Sequence, residues 1–400
     1  MGFEAMWDAL AAVGRDRSSG GYRRFAWSDA DMACREWFAG AACERGMALV
    51  EDGNGNAFAW WGDLDAGNAV LTGSHLDSVP DGGAYDGPLG VVSAFAAVDA
   101  LRERGVEPRR AVGIASFADE EGARFGIACA GSRLLTGSLA ADRARGLRDR
   151  DGVTLAEVLR GRQRNPDRLG PTPRLLDRLG CFVELHVEQG RGLVEHGAPV
   201  GVASAIWPHG RWRFDFRGEA NHAGTTPMRD RRDPMLTYAM TALAANKQAR
   251  LADARATFGR LDVAPNGTNA IPSRVQAWLD ARAPDEETVK ALVDQVTRQA
   301  EERAGRDGTD LTVTMESVTP AVAFDGSLRD RVARVLGDVP VLSTGAGHDA
   351  GVLQAAGIPT TMLFVRNPTG VSHAPDEYAE PSDCAAGVTA LAMLLQELVT

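Results

Sequence analysis

Two adjacent glutamates, Glu120 and Glu121, follow an apolar run at residues 111–118 that predicts a buried strand. Neighbouring carboxylates at the end of a buried strand repel each other and are costly to desolvate, and a bound cation would relieve both penalties. An acidic pair after a strand is, taken alone, more often part of a solvated loop. The pair therefore indicates a metal site only if other residues supply further ligands.

Imidazole and carboxylate side chains occur at the ends of other predicted strands. His75 follows the apolar run 69–74, His186 lies at the end of a later strand, and His373 follows a strand near the C-terminus. Asp86 lies in a glycine-flanked turn before a helix. Each has an ordinary explanation on its own, such as a core histidine or a helix N-cap. Together they offer nitrogen and oxygen ligands without thiolates, which suits zinc, manganese or cobalt. Because they exceed the needs of one zinc ion, a two-metal site bridged by a carboxylate is predicted.

The surrounding elements would bring these side chains to one edge of a sheet. Strands at 69–74 and 111–118 flank a helix at 87–104, and this alternation predicts an α/β domain with a mixed, largely parallel sheet and helices on both faces. Ligands of such sheets bind at the carboxyl ends of the strands, where His75 and the glutamate pair lie. Asp77, two residues beyond His75, is placed to orient that imidazole.

A different pattern begins near residue 207. The predicted strands are at 211–218, 255–263, 275–282 and 311–318, and the predicted helices are at 233–250 and 285–303. This order, strand-helix-strand-strand-helix-strand, predicts a small α+β domain of two layers inserted into the larger one. The α/β pattern then resumes with strands at 340–342 and 358–365 and a helix at 381–398. The predicted boundaries are 1–207 and 321–400 for the catalytic domain and 208–320 for the inserted lid and dimerisation domain.

The composition excludes several classes of function. A length of 400 residues suits two domains, and a net charge of −11 argues against nucleic acid or an anionic membrane as the main partner. We find no apolar run near 18 residues and no secretory signal at the N-terminus, so no membrane span is expected. The five cysteines are scattered along the sequence and none form a Cys-x-x-Cys motif, which favours a cytoplasmic protein with reduced thiols. No Gly-x-Gly-x-x-Gly follows an early strand, which disfavours a dinucleotide-binding oxidoreductase.

Five segments, taken together and in order, carry a resemblance to a known family. They are GSHLDSV at 73–79, DGGAYDG at 81–87, DEEGARF at 119–125, ELHVEQG at 184–190 and NHAGTTPM at 221–228. In these segments the chain resembles the binuclear amidohydrolases that include N-carbamoyl-L-amino acid hydrolases, allantoate amidohydrolases and β-ureidopropionases. The resemblance runs from about residue 10 to the C-terminus. It is specific for the family but not for the substrate.

The resemblance implies two divalent ions per subunit, zinc or manganese, with cobalt or nickel as alternatives. It places His75 and His186 on one metal and Glu121 and His373 on the other, with Asp86 bridging and Glu120 as the general base. In an extended segment neighbouring side chains point in opposite directions, which would let Glu121 reach a metal while Glu120 reaches the attacking water.

The resemblance also implies a set of substrate-binding residues and a homodimer built on the inserted domain. His222 would stabilise the developing oxyanion, in its own or in the partner subunit's site. The residues expected near the substrate are Gln189, His222, Asn269, Arg282, Gly347 and His348. Arg282 and Asn269 would hold the substrate carboxylate, since the planar guanidinium pairs both of its oxygens. Gly347 and His348 belong to a glycine-rich turn before a helix. Such a turn can bind an anion, but alone it is weak evidence for a binding site.

The implied activity is hydrolysis of a linear amide or ureido C–N bond in a small carboxylate. The expected substrate is allantoate or an N-carbamoyl-L-amino acid, with release of ammonia and carbon dioxide. Two alternatives stay open: a metallo-aminoacylase or dipeptidase with the same metal site, and a non-catalytic metal-binding module. The second would predict loss of the base or of a ligand, and all are present.

One departure from the family pattern bears on the substrate. Arg366 and Asn367 replace a proline and a serine ahead of His373. Arg366 would either favour a second acidic group on the substrate or pair with a carboxylate of the loop at 376–377.

Overall fold

Strands and helices alternate along the computed structural model, which describes residues 2–400. The strands are β1 (Ala48–Glu51), β2 (Ala57–Trp61), β3 (Ala69–His75), β4 (Val112–Phe117), β5 (Leu179–Val187), β6 (Val200–Ile206), β7 (His209–Arg217), β8 (Asn221–His222), β9 (Arg255–Ala264), β10 (Ala270–Ile271), β11 (Arg274–Arg282), β12 (Asp310–Thr319), β13 (Val322–Ala323), β14 (Val341–Thr344) and β15 (Thr360–Val365). The helices are α1 (Phe3–Ala11), α2 (Asp29–Glu44), α3 (Pro88–Glu103), α4 (Ala130–Thr136), α5 (Ala141–Arg145), α6 (Leu155–Gly161), α7 (Pro173–Leu176), α8 (Gly192–His196), α9 (Pro234–Leu251), α10 (Glu286–Asp307), α11 (Gly326–Leu336), α12 (Asp349–Ala355) and α13 (Pro381–Val399).

The chain divides into two units. The first extends up to Ala205 and resumes at Ala323–Thr400, and the second is Ile206–Val322. Each unit has its own cluster of buried apolar side chains. The roles of the two units as catalytic and lid or dimerisation domains stay predictions.

A mixed sheet organises the first unit. Its strand order is β1-β2-β4-β3-β5-β15-β6-β13, with β14 paired to β6. The four central strands, β4, β3, β5 and β15, run parallel, whereas β2 and β6 are antiparallel to their central neighbours. The predicted α/β class with a largely parallel, mixed sheet is confirmed. Parallel central strands place their carboxyl ends at one edge, which is where functional residues of such sheets collect.

Helices cover both faces of this sheet. Alternate residues of β5, Cys181, Val183 and Leu185, join the apolar cluster that includes α3 and α13. On the opposite face of the strand Glu184 accepts a hydrogen bond from the backbone N–H of Ala350 in α12. A strand with two covered faces needs an apolar run rather than strict alternation, as residues 179–187 show.

The C-terminal helix is the most apolar long helix of the first unit's core. By length and composition alone α13 could cross a membrane. The sequence led us to expect no segment of this kind. In the structure it packs against α3, α11 and β15, and ten of its residues are buried, Leu391, Leu394 and Leu395 among them. A helix buried in a protein core can be equally long and apolar, so the packing of α13 accounts for its composition.

The second unit contains an antiparallel sheet with strand order β12-β7-β11-β9. Helices α9 and α10 pack together and against this sheet. Strand β11 alternates buried and half-buried residues, with Val275, Ala277, Leu279 and Ala281 facing the helices. One covered face and one open face are what this period of two predicts.

Candidate metal centre

The carboxyl ends of parallel strands bring two predicted histidine ligands together. β3 ends at His75, which lies opposite Phe117 of β4, so Glu120 follows soon after that pairing. His186 of β5 lies opposite Phe364 of β15. Both histidines are fully buried, and their ring centres are 5.9 Å apart.

One group of ligand atoms consists of His75, Asp86 and His186, with all three atoms within 4.8 Å of one another. His75 Nδ1 lies 3.2 Å from the carbonyl oxygen of Asp77, and His186 Nδ1 lies 2.9 Å from that of Val187. These contacts turn both Nε2 atoms toward Asp86 Oδ1, at 3.6 Å from His75 and 3.2 Å from His186. Neither Nε2 has a hydrogen-bond partner among residues 2–400.

A second group shares the same carboxylate. It consists of Asp86, Glu121 and His373, again within 4.8 Å. His373 Nε2 lies 3.3 Å from Asp86 Oδ2 and 3.6 Å from Glu121 Oε2. His373 is on a loop, with a left-handed φ of 56°, and its side chain is about half exposed at 51%. Asp86 thus presents one oxygen to each group.

These side chains fit divalent metal ions. A histidine that binds a metal through one ring nitrogen usually hydrogen-bonds through the other, as the Nδ1 contacts of His75 and His186 allow. Glu121 Oε1 also lacks a hydrogen-bond partner within the described residues, although it is buried. Burial opposes ionisation of Asp86, but the neighbouring imidazoles of His186, His373 and His75 hold its pKa well below the usual range. A buried anion between unpaired imidazole nitrogens is a setting that a divalent cation would stabilise.

The two adjacent glutamates separate because the backbone bends. β4 ends at Phe117, Asp119 has a left-handed φ of 54°, and residues 119–121 form a bend, so the prediction of an extended segment is wrong. Glu121 Oε2 faces His373, whereas Glu120 Oε2 lies 3.8 Å from His75 Nε2. The bend therefore directs the neighbours to different histidines.

Asp77 holds this bend in place. Its Oδ1 accepts the backbone N–H of Glu120 and its Oδ2 accepts that of Glu121, both at 3.1 Å. Asp77 Oδ1 also lies 3.4 Å from His75 Nδ1. One buried carboxylate thus connects the end of β3 to the glutamate pair. Asp77 was predicted only to orient the imidazole of His75, and it also holds the backbone of both glutamates.

Glu120 belongs to neither ligand group. It is buried, and Cys129 Sγ donates a hydrogen bond to its Oε1 at 3.3 Å. Burial, with the Asp349 and Glu121 carboxylates nearby, raises the pKa of Glu120 well above its usual range. A carboxylate that takes up a proton readily and is not required as a ligand can exchange a proton with a reacting molecule. Cys129 carries no local signal that would have predicted this contact.

Further side chains surround the shared carboxylate. Gln189, predicted near the substrate, donates from Nε2 to Asp86 Oδ2 at 2.8 Å and lies 3.2 Å from Ser372 Oγ. Glu377 accepts the backbone N–H groups of Tyr85 and Asp86. In the sequence, Glu377 stands out only as part of an acidic loop. Its burial, at 4% exposure, is set by tertiary packing and has no local sequence signal.

His348 lies inside the first unit and contacts a predicted ligand. Its ring is 4.5 Å from that of His186, and Glu184, His186 and His348 form a third group of possible ligand atoms. Burial, with His186 nearby, lowers the pKa of His348 well below its usual range, so this imidazole is neutral. Gly347 beside it is exposed. The substrate-binding role of His348 and Gly347 stays a prediction.

Of the two alternatives that the sequence left open for Arg366, pairing with the loop at 376–377 is not found. Arg366 forms two hydrogen bonds, at 2.8 and 3.0 Å, with the buried Asp383 in the first turn of α13. Asn367 is fully buried, donating to the carbonyl of Val371 and accepting from the backbone of Gly370. Both residues therefore shape the loop before His373, and the guanidinium of Arg366 is engaged by Asp383.

The second unit brings two of its three predicted residues together. Ala270 of β10 lies opposite His222 of β8, and Asn269 accepts the backbone N–H of Ala223. His222 is exposed and accepts from the backbone of Gly224 at Nδ1, which leaves Nε2 open.

Arg282 lies at the other end of the sheet. It pairs in register with His209 and Arg255, whereas Arg274, at the start of β11, is the residue nearest to β10 in sequence. At about 3.4 Å per residue, the length of β11 separates Arg282 from the His222 end by on the order of 25 Å. Arg282 is held by Asp280 through two hydrogen bonds. Within one copy of this unit, Arg282 and His222 do not share a site.

A cavity of about 640 Å³ in the first unit is separate from these ligand groups. Its lining includes Trp27, Arg124 and Asp149, and none of the predicted metal ligands. Arg124 is bound to Asp149 at 3.1 Å, and Arg162 to Asp29 at 2.7 Å. These charges pair with one another, and no histidine lines the cavity.

A comparison with protein families identifies the group to which this arrangement belongs. The model of Peptidase family M20/M25/M40 matches residues 71–397, which include every residue of the two ligand groups. The chain belongs to this family. It is accordingly a hydrolase, and the resemblance inferred from the five segments is confirmed.

Similar proteins match over nearly the whole chain. An N-carbamoyl-L-amino acid amidohydrolase of Geobacillus stearothermophilus is 36% identical, with 97% of this chain and 96% of the relative covered. A ureidoglycolate hydrolase of Oryza sativa subsp. japonica is 34% identical over 94% of this chain and 80% of its own length. The crystal structure of an amidase of the hydantoinase/carbamoylase family from Burkholderia vietnamiensis has a TM-score of 0.87 and 30% identity, with 99% and 97% of the two chains covered.

Proposed function

We propose that this protein hydrolyses a linear ureido or amide C–N bond in a small carboxylate substrate, with an N-carbamoyl-L-amino acid or allantoate as the expected substrate. The observation that carries the proposal is Asp86, shared by two ligand groups, with the buried Glu120 beside them and outside both. The relatives from Geobacillus and Oryza, named for a carbamoyl amino acid and for ureidoglycolate, support the ureido class.

The proposed cofactor is a pair of divalent ions, zinc or manganese. His75, His186 and Asp86 would hold one ion, and His373, Glu121 and Asp86 the other. When bound, such ions polarise a carbonyl and lower the pKa of water. The cysteines are free thiols, and a cytoplasmic location is part of the proposal.

Proton transfer is assigned to Glu120. Its carboxylate is buried, so it takes a proton from the attacking water more readily than an exposed glutamate would. It then delivers that proton to the leaving nitrogen, which departs as a neutral amine or as ammonia. The thiol of Cys129 bonds to Oε1, which leaves Oε2, the oxygen on the His75 side, for this exchange.

Substrate binding is assigned to residues of both units. In this proposal Gln189 contacts the polar end of the substrate, and Gly347 and His348 line the same region. Arg282 and Asn269 hold the substrate carboxylate, and His222 stabilises the oxyanion.

The proposal includes a homodimer, which the positions of these residues support. One copy of the second unit holds His222 and Asn269 at one end of its sheet and Arg282 at the other, on the order of 25 Å apart. A small substrate cannot span that distance. We therefore propose that Arg282 comes from one subunit and His222 with Asn269 from the partner, through contacts between the second units.

An aminoacylase or dipeptidase is the second candidate, because the family is described as a peptidase family. It would use the same ligands and the same base. The candidates differ in the substrate's scissile group, since only a ureido compound releases ammonia.

The deciding experiment measures products from a panel of substrates. The purified protein, loaded with zinc or manganese, is incubated with N-carbamoyl-L-amino acids, allantoate, ureidoglycolate and N-acetyl-amino acids. We expect ammonia from at least one ureido acid and faster turnover of it than of every N-acyl compound. Turnover of N-acyl substrates only would support the second candidate and overturn the first.

A further inference from the structure

Glu377 lies where two loops of the metal centre meet. Its Oε1 accepts the backbone N–H groups of Tyr85 and Asp86 at 2.8 and 2.9 Å. Its Oε2 accepts the hydroxyl of Ser372 at 3.1 Å. The side chain is 4% exposed, so these hydrogen bonds are shielded from water.

The partners of Glu377 are the neighbours of metal ligands. Tyr85 precedes Asp86, the carboxylate shared by the two groups, and Ser372 precedes His373. Ser372 Oγ is also 3.4 Å from Asp86 Oδ2. One carboxylate therefore ties the turn that carries the shared ligand to the loop that carries His373.

The turn is built to receive this carboxylate. A Cβ atom added at Gly83 would lie 2.4 Å from Oε1 of Glu377, so only glycine leaves the space. Gly87, on the other side of Asp86, has a φ of +86°, and a Cβ there would lie 2.5 Å from the ring of His75. Aromatic side chains flank the contact, since Tyr85 packs against Trp7 and Tyr378.

The two ligand groups depend on the hydrogen bonds of Glu377 to different degrees. His75 and His186 are in strands and are fully buried, so the sheet itself holds them. His373 is on a loop and its side chain is 51% exposed. Its position relative to Asp86 therefore depends on contacts between loops, and Glu377 supplies three of them through Ser372, Tyr85 and the backbone of Asp86.

We propose that Glu377 is a positioning residue that holds His373 and Asp86 at the spacing needed for the second metal, the one bound by His373 and Glu121. Loss of its carboxylate should empty this second site while the site of His75 and His186 keeps its ion. The inference rests on the proposed two-metal centre, but not on the identity of the substrate.

The test compares Glu377→Ala with Glu377→Gln and with Asp376→Asn, an exposed neighbour, as the matched control. Metal content is measured by mass spectrometry after dialysis, and the affinity for each ion by titration with Mn²⁺ or Zn²⁺. We expect two ions per subunit in the wild type and in Asp376→Asn. Glu377→Ala should keep about one ion, with the second bound at least about tenfold more weakly, in the range found for residues that orient metal ligands. Glu377→Gln keeps an oxygen for the two N–H groups and should restore most of the second site.

A further readout separates positioning from folding. The visible spectrum of the Co²⁺-substituted protein reports the ligand geometry, and far-UV circular dichroism with thermal unfolding reports the fold. In Glu377→Ala we expect the spectral contribution of the second ion to disappear while the circular dichroism is unchanged. Two ions bound with wild-type affinity in Glu377→Ala would overturn the inference, and so would equal loss of both ions. A wild type that binds two ions but hydrolyses no ureido acid would instead overturn the proposed substrate and leave the inference standing.

Discussion

At the scale of single residues, the division between Glu120 and Glu121 depends on their backbone and not on their side chains, which are identical. Asp119 takes a left-handed conformation, and Asp77 accepts both glutamate N–H groups. Glu121 then faces His373, while Glu120 lies beside His75 and receives the thiol of Cys129. The two neighbours consequently have different environments and are expected to have different roles.

Replacing each glutamate by glutamine should separate these roles. In Glu120→Gln the proton acceptor is lost but no ligand is, so turnover should fall by roughly 10²–10⁴-fold, the usual contribution of general acid–base catalysis, with metal content retained. In Glu121→Gln one ligand becomes a neutral amide, so one ion should be bound more weakly. Activity with the best ureido substrate and metal content by mass spectrometry are the two measurements. Equal loss of metal in both variants would contradict the division of roles.

The side chains that can bind metals were predictable from the sequence, whereas the residues that hold those side chains in place were not. His75, Asp86 and His186 are recognisable as a set, because they lie in segments that resemble one family and together offer nitrogen and oxygen ligands. Glu377 and Cys129 act through contacts with residues far along the chain, as with the bond from Glu377 to Asp86. No periodicity or spacing near Glu377 reports such a contact, so only the three-dimensional structure could reveal it.

At the scale of elements, the strands and helices with apolar runs were the predictable ones. The predicted helix at 233–250 is α9, Pro234–Leu251, and the predicted strand at 275–282 is β11, Arg274–Arg282. The bend at 119–121 was wrongly expected to be extended, because a run of polar residues after a strand contains no signal for the left-handed Asp119. The edge strand β1 was not predicted, because four residues are too few to show a clear period.

Helix α9 presents an apolar stripe that its own unit does not cover. Thr237, Thr241 and Ala245 are its buried side, whereas Leu236, Met240 and Leu243 are 45%, 45% and 66% exposed. The spacing of these three leucine and methionine residues places them on one face of the helix. β9, at the edge of the same sheet, offers unpaired backbone groups nearby in the same unit. A second copy of this chain would cover both.

Leu243→Glu should therefore weaken the proposed dimer. Each substitution occurs twice in a twofold interface, and burying one leucine contributes about 1.5–3 kcal/mol. The dissociation constant of the dimer should therefore rise by at least about a hundredfold. Light scattering coupled to size-exclusion chromatography, over a range of concentrations, measures the mass. Val50→Glu, at an exposed position of β1 in the first unit, is the control and should stay dimeric. A wild type that is monomeric at all concentrations would exclude the dimer.

At the scale of the whole molecule, the stability of the chain should depend on its metals through pH. In protein freed of metal by a chelator, burial raises the pKa of Glu121 to about 7 and that of Asp349 to about 8, and neighbouring carboxylates raise the pKa of His373 to about 9 against the effect of its own burial. The folded chain then binds more protons than the unfolded chain between about pH 5 and 8. The unfolding free energy should therefore fall as pH rises through this window, because these three groups outweigh the buried His348 and His209, whose lowered pKa values act in the opposite direction below about pH 6.5. The lowered pKa of Asp86 makes the unfolding free energy rise with pH, but only under acidic conditions below this window.

Metal ions should reverse this loss, because they replace the protons on their ligands and bind only the folded chain. We expect Tm of the chelator-treated protein to fall from pH 5.5 to pH 8 and the increase in Tm on adding Zn²⁺ or Mn²⁺ to grow over the same range. Differential scanning calorimetry with and without metal at each pH measures both trends. Glu121→Gln removes one of the groups with a raised pKa and should flatten the metal-free trend. A metal-free Tm that rises with pH across this window would mean that the cluster of buried acids does not control the stability of the chain.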